Sequence, residues 1–118
     1  MAVTARLIRG DTASLELQAL VGGQPINLTG LTVQFTARYD PGGSEVVISK
    51  STATSGIIVT DAANGWLRVT IEAADTEALP NRPLFLYFDV EVSDMVGHRF
   101  TVEMGVLEYR SDISTDHL

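Results

Sequence analysis

Apolar residues recur at every second position through most of this chain, and turn-forming clusters interrupt the pattern at short intervals. Successive side chains of an extended strand point to opposite faces, so such alternation marks strands with one buried face. From Thr12 to Leu20, Ala13, Leu15, Leu17 and Ala19 share a side opposite Ser14, Glu16 and Gln18. Leu31, Val33, Phe35 and Ala37 alternate with Thr32, Gln34, Thr36 and Arg38. Leu67, Val69 and Ile71 oppose Trp66, Arg68, Thr70 and Glu72, and Leu84, Leu86, Phe88, Val90 and Val92 oppose Phe85, Tyr87, Asp89 and Glu91. From His98 onward, Phe100, Val102 and Met104 share a face, and a bulge at Gly105 is expected to shift the phase and bring Leu107 and Tyr109 inward. Val3–Ile8, Glu45–Ser51 and Ile57–Asp61 are weaker strand candidates.

The punctuation fits. Gly22-Gly23-Gln24-Pro25 turns the chain, Asn64-Gly65 suits a tight hairpin, and Asp94-Met95-Val96-Gly97 joins the two longest strands. Asp40-Pro41-Gly42-Gly43-Ser44 reads as an exposed loop. Ala73 to Pro80 breaks the alternation with good helix formers, Asp75 as a cap and Pro80 as a stop, which predicts one helical turn near residues 74–79 crossing between sheets. About seven to eight strands in one short chain is the density of an all-β, antiparallel sandwich. The domain is expected over residues 1–110, with residues 111–118 as a flexible polar tail.

Composition removes several function classes. Eight Lys+Arg against fifteen Asp+Glu leave a net charge of −7, a poor match for duplex nucleic acid, whose binding depends on cations displacing phosphate counterions. The absence of cysteine excludes disulfides and thiolate chemistry. The longest apolar runs, Ile57-Ile58-Val59 and Leu84 to Phe88, fall far short of the roughly 20 residues of a membrane-spanning helix. Met1 to Arg6 lacks the pattern of a secretory signal.

Chemistry is sparse. The histidines are His98, with Asp94 nearby across a turn, and His117; a catalytic His needs neighbours that position it, and a polar pair at a hairpin end accounts for the first. Asp89, Glu91 and Asp94 could line one edge, but no cleft of the kind a glycosidase needs is indicated. Asp40, Ser44 and Glu45, or Asp61 with Asn64, offer oxygen ligands for calcium without a matching motif. Arg9-Gly10-Asp11 spells an adhesion tripeptide, yet its place between two strands reads as a structural turn. No enzyme activity, metal or cofactor is expected. The residues left over are Trp66, Phe85 and Tyr87, aromatics on the polar side of their strands and therefore candidates for a partner-binding surface.

Several strings then follow one another in a familiar order: Leu7-Ile8-Arg9-Gly10-Asp11-Thr12, Gln24-Pro25-Ile26-Asn27-Leu28-Thr29-Gly30, Val33-Gln34-Phe35-Thr36-Ala37-Arg38, Ile58 to Gly65, Asp75 to Pro80, and Tyr87-Phe88-Asp89-Val90-Glu91-Val92. This progression, covering residues 6 to 109, resembles small immunoglobulin-like modules of tailed-phage structural genes and is similar to the N-terminal domain of baseplate upper proteins. The resemblance implies an immunoglobulin-like β-sandwich in a bacteriophage virion (tail, baseplate or head decoration), made in the bacterial host cytoplasm. It would assemble non-covalently with other virion proteins, as a homo-oligomer, ring or trimer, without nucleic acid or membrane. Baseplate upper proteins carry a long further region for receptor attachment, whereas this sequence ends at Leu118, so a stand-alone adaptor, plug or decoration is the expectation. The alternative is a carbohydrate- or receptor-binding module using Trp66, Phe85 and Tyr87 as one stacking platform.

Overall fold

A computed structural model describes residues 3–111. The expected all-β sandwich is present. Its strands are β1 (Ala5–Ile8), β2 (Ala13–Gln18), β3 (Leu20–Val21), β4 (Gln24–Pro25), β5 (Thr32–Arg38), β6 (Val46–Ser51), β7 (Ile57–Asp61), β8 (Trp66–Ile71), β9 (Leu84–Ser93) and β10 (Arg99–Arg110). They form a five-stranded sheet in the order β1-β10-β9-β5-β6, a three-stranded sheet β2-β8-β7, and the small β3–β4 hairpin. The chain crosses between the two main sheets at the turn after β1, through the β3–β4 hairpin, after β6 and after β8, so each sheet is assembled from strands distant in sequence.

The alternation in the sequence is what closes the sandwich. Leu15 and Leu17 of β2 and Leu67, Val69 and Ile71 of β8 pack in one cluster with Val33, Phe35 and Ala37 of β5 and Leu86, Phe88, Val90 and Val92 of β9. Each fully buried aliphatic or aromatic side chain of this kind contributes roughly 1.5–3 kcal/mol through removal from water. The Phe35 and Phe88 rings stack with centroids 5.1 Å apart, linking β5 to β9 inside the core.

Three details differ from the sequence reading. The sandwich is not wholly antiparallel, because β1 pairs with β10 in parallel, Ala5 opposite Leu107 and Ile8 opposite Arg110. No hairpin joins these strands, and the turn after β1 carries the chain directly to the other sheet, so direction is not imposed locally. Second, the phase shift in β10 falls at Val102, between the pairs Thr101–Glu91 and Glu103–Val90, rather than at Gly105. Val102 is buried while Phe100 and Met104 are exposed, so these three do not form one core face. Gly105 remains in register opposite Phe88, and its role is clearance: a Cβ there would sit 2.5 Å from the Phe88 ring. Third, Ile57–Asp61 and Trp66–Ile71 are joined by a 3-10 turn over Ala62–Asn64 closed by Gly65 at φ 77°, longer than a two-residue hairpin.

The helical segment appears as α1 (Ala73–Glu77), between β8 of one sheet and β9 of the other. Glu72 is its N-cap, and Asp75 occupies the third position, where its carboxylate accepts the Glu72 backbone N–H at 2.7 Å. The expected tail from Ser111 to Leu118 lies, beyond Ser111, outside the described residues.

Candidate interaction surface

Among the described residues, Asp94, His98, Asp89 and Asp61 are held in structural roles. Asp94 and His98 do meet, Oδ2 to Nδ1 at 2.9 Å, at the exposed end of the β9–β10 hairpin. Asp94 Oδ1 also accepts the backbone N–H groups of Val96 and His98, each at 3.0 Å. Partial desolvation pushes the Asp94 carboxyl upward, but these backbone and ring hydrogen bonds outweigh it and hold the group below its ordinary value. The carboxylate thus stays ionised as the lock of a turn. Asp89 is engaged by Arg38 at 3.2 Å, and the Asp61 carboxylate accepts from the Asn64 side chain at 2.9 Å. Among the described residues no group of three or more His, Cys, Asp or Glu could hold a metal ion.

Arg9-Gly10-Asp11 is built into the sheet-to-sheet turn. The Gly10 N–H donates to Thr76 Oγ1 at 2.9 Å, and the Arg9 guanidinium donates to the Glu77 carbonyl at 3.0 Å. The Asp11 N–H closes the turn on the Ile8 carbonyl at 3.0 Å. A tripeptide tied down on α1 is not an extended loop tip.

The three aromatics singled out by the sequence are all at the surface, but not together. Trp66 lies on β8 of the three-stranded sheet, opposite Gln18 and Asp61, and is 38% exposed. Phe85 and Tyr87 lie two apart on β9 of the five-stranded sheet, with Phe85 49% exposed and Tyr87 half-buried. The sandwich core separates the two positions, so one three-ring stacking platform does not exist.

Around Phe85 and Tyr87 the outer sheet face forms a run of shallow apolar depressions. Val3 and Val106 line one with both aromatics, Pro83, Glu108 and Arg110 lie on the β10 side of Phe85, and Pro41 and Met104 border Tyr87. Met104 is 71% exposed. The rim is rich in arginine. Arg6 Nε and Arg110 Nε converge on the same Glu108 oxygen at 3.0 and 2.7 Å, Arg38 pairs with Asp89, and Arg82 lies beside Leu84 and Phe85. The hydrogen bond from Arg110 is the main influence holding the Glu108 carboxyl below its ordinary value, against partial desolvation. The sequence reading missed this rim. Its signal was Glu108 and Arg110 two apart on the outward face of β10, but the parallel β1–β10 pairing that sets Arg6 beside Glu108 leaves no mark in the sequence.

These observations define an all-β sandwich whose distinctive surface is a sheet face and not a catalytic cleft. The same fold occurs in the N-terminal domain of phage TP901-1 ORF48, 19% identical, with 94% of this chain and 85% of that chain covered and a TM-score of 0.54. No curated protein matches this chain. The family model for the BppU N-terminal domain matches residues 2–104. The chain therefore belongs to the family of phage baseplate upper protein N-terminal domains, as its sequence resemblance implied.

Proposed function

We propose that this protein is a structural part of a phage tail or baseplate that works by non-covalent assembly with other virion proteins. Family membership supports the virion setting, and the observation that carries the mode of action is the exposed Phe85–Tyr87 patch on the five-stranded sheet. The strand order places β2-β8-β7 against β10-β9-β5-β6, with β1 parallel on the far edge, and supports an immunoglobulin-like arrangement.

The Phe85–Tyr87 face is better suited to make the contacts than the β6 and β7 edges. Register shifts place an extra residue in two of the four edge strands of the main sheets, Val47 in β6 and Thr60 in β7, and Lys50 of β6 turns inward to Asp75. Bulges and inward charges are devices that discourage a further strand from pairing. Exposed aromatics on a sheet face, by contrast, are the residue types enriched at binding hot spots. The separation of Trp66 from Phe85 and Tyr87 weakens the sugar-platform alternative.

The test is quantitative mass spectrometry of purified phage tails. Co-purification at a constant copy number relative to other tail proteins is expected. Absence of the protein from particles that are otherwise complete overturns the reading.

A further inference from the structure

The rim of the Phe85–Tyr87 patch has a charge unlike that of the molecule that bears it. Acids outnumber Lys and Arg fifteen to eight over the chain. Around the patch the order is reversed: Arg6, Arg38, Arg82 and Arg110 face Asp40, Asp89 and Glu108. Two of these arginines share the single Glu108 carboxylate, so one guanidinium charge is left over there, with Arg6 and Arg110 side chains 57% and 56% exposed. Arg82 has no carboxylate partner among the described residues, and its backbone N–H bonds to the Pro80 carbonyl. Half of the chain's cationic side chains thus surround two aromatic rings on an otherwise acidic protein.

Arginine and aromatic residues are over-represented at interface centres, and a cationic rim selects its partner by charge complementarity. We propose that this patch receives an acidic segment of a neighbouring virion protein, in which an aromatic or aliphatic anchor is flanked by Asp or Glu. The anchor packs against Phe85, Tyr87 and Met104, and the flanking carboxylates take the spare donors of Arg110, Arg6 and Arg82. This inference rests on the assembly function above and adds the chemistry of the partner.

The probes are synthetic peptides with a central Trp or Leu flanked by Asp/Glu, a matched set flanked by Lys, and isotope-labelled full-length protein followed by NMR. Acidic peptides should shift the amides of Phe85, Tyr87, Glu108 and Arg110, with affinity falling at least tenfold when salt rises from 50 to 300 mM, because the screening length shortens about 2.4-fold and weakens every rim-charge contact. Phe85→Ser and Arg82→Glu should each abolish these shifts, and Arg82 is an exposed loop residue whose change leaves the core intact. Equal binding of Lys-flanked peptides, or no binding of acidic ones, overturns the proposal. So does a concentration-dependent dimer lost in Phe85→Ser, which would assign the face to a second copy, and so does glycan binding at these amides. The same variants separate the two readings in particles. If wild-type protein enters tails and both variants enter equally well, the patch proposal fails while the assembly function stands; if wild-type protein does not enter, the function itself fails.

Discussion

The hydroxyl of Thr76 carries more of the fold than its size suggests. It is fully buried, accepts the Gly10 N–H at 2.9 Å and donates to the Ala73 carbonyl at 3.1 Å, so it ties the first sheet-to-sheet turn to α1. Thr76→Val keeps the volume and removes both bonds, leaving the Gly10 donor without a partner. The expected loss is about 1–2 kcal/mol, because the orphaned Gly10 donor is partly buried, and Thr76→Ser should lose much less. Urea unfolding measures it: the midpoint should drop with the slope unchanged, and equal midpoints for Thr76→Val and wild type would contradict the assigned role. At this scale the sequence was partly legible. Arg9-Gly10-Asp11 reads correctly as a turn from glycine and its flanking strands, but nothing in those letters points to a threonine 66 positions away as the turn's acceptor.

Elements were more legible than the links between them. Alternation identified β2, β5, β8 and β9 with their inward residues, because each has one face in the core and a one-residue slip would expose every apolar side chain. It failed in β10 where Val102 adds a residue to the ladder, since a bulge in a polar, partly exposed stretch leaves no compositional mark. It also misassigned the exact job of Asp75 in α1. That carboxylate both closes the capping box on Glu72 and meets Lys50 Nζ at 2.7 Å, so it joins α1 to the edge strand β6. The Lys50 side chain is only 11% exposed, which distinguishes this pair from Arg68–Glu16, where both side chains are roughly half exposed. Asp75→Ala should therefore destabilise by about 2–4 kcal/mol, combining a lost cap with a largely buried ammonium left unpaired. Glu16→Ala should cost at most about 1 kcal/mol, as exposed pairs do. Paired thermal melts of the two variants decide this, and similar shifts would mean that Lys50 finds water or another acceptor.

For the molecule as a whole, family and sandwich were readable in the order of turn and strand strings, whereas the arginine-rimmed face emerges only when β1, β9 and β10 are laid side by side. Among the described residues, three groups set how stability responds to pH: Asp94 in the β9–β10 turn, Glu108 beside Arg6 and Arg110, and buried Tyr109. Asp94 and Glu108 have folded-state values below their ordinary 3.8 and 4.5, so their contributions are present above those values and are lost as pH falls through the lower, folded ones. Tyr109 has the opposite sign. Burial of the phenol pushes it above its ordinary 10.0, partly opposed by the Arg9 charge, while its hydroxyl donates to the Pro80 carbonyl at 2.9 Å. Its contribution is therefore complete below pH 10.0 and disappears as pH rises through the folded-state value. The melting temperature should be level between about pH 5 and 9 and decline on both sides. Tyr109→Phe should lower the plateau by about 1 kcal/mol for the lost hydrogen bond and flatten the alkaline decline, because the group responsible no longer ionises. Asp94→Asn should leave the alkaline limb unchanged and flatten the acid one. Parallel alkaline limbs for Tyr109→Phe and wild type would show that the phenol ionises as freely in the folded protein as in the unfolded chain, and that its hydrogen bond to the Pro80 carbonyl does not set the alkaline limb.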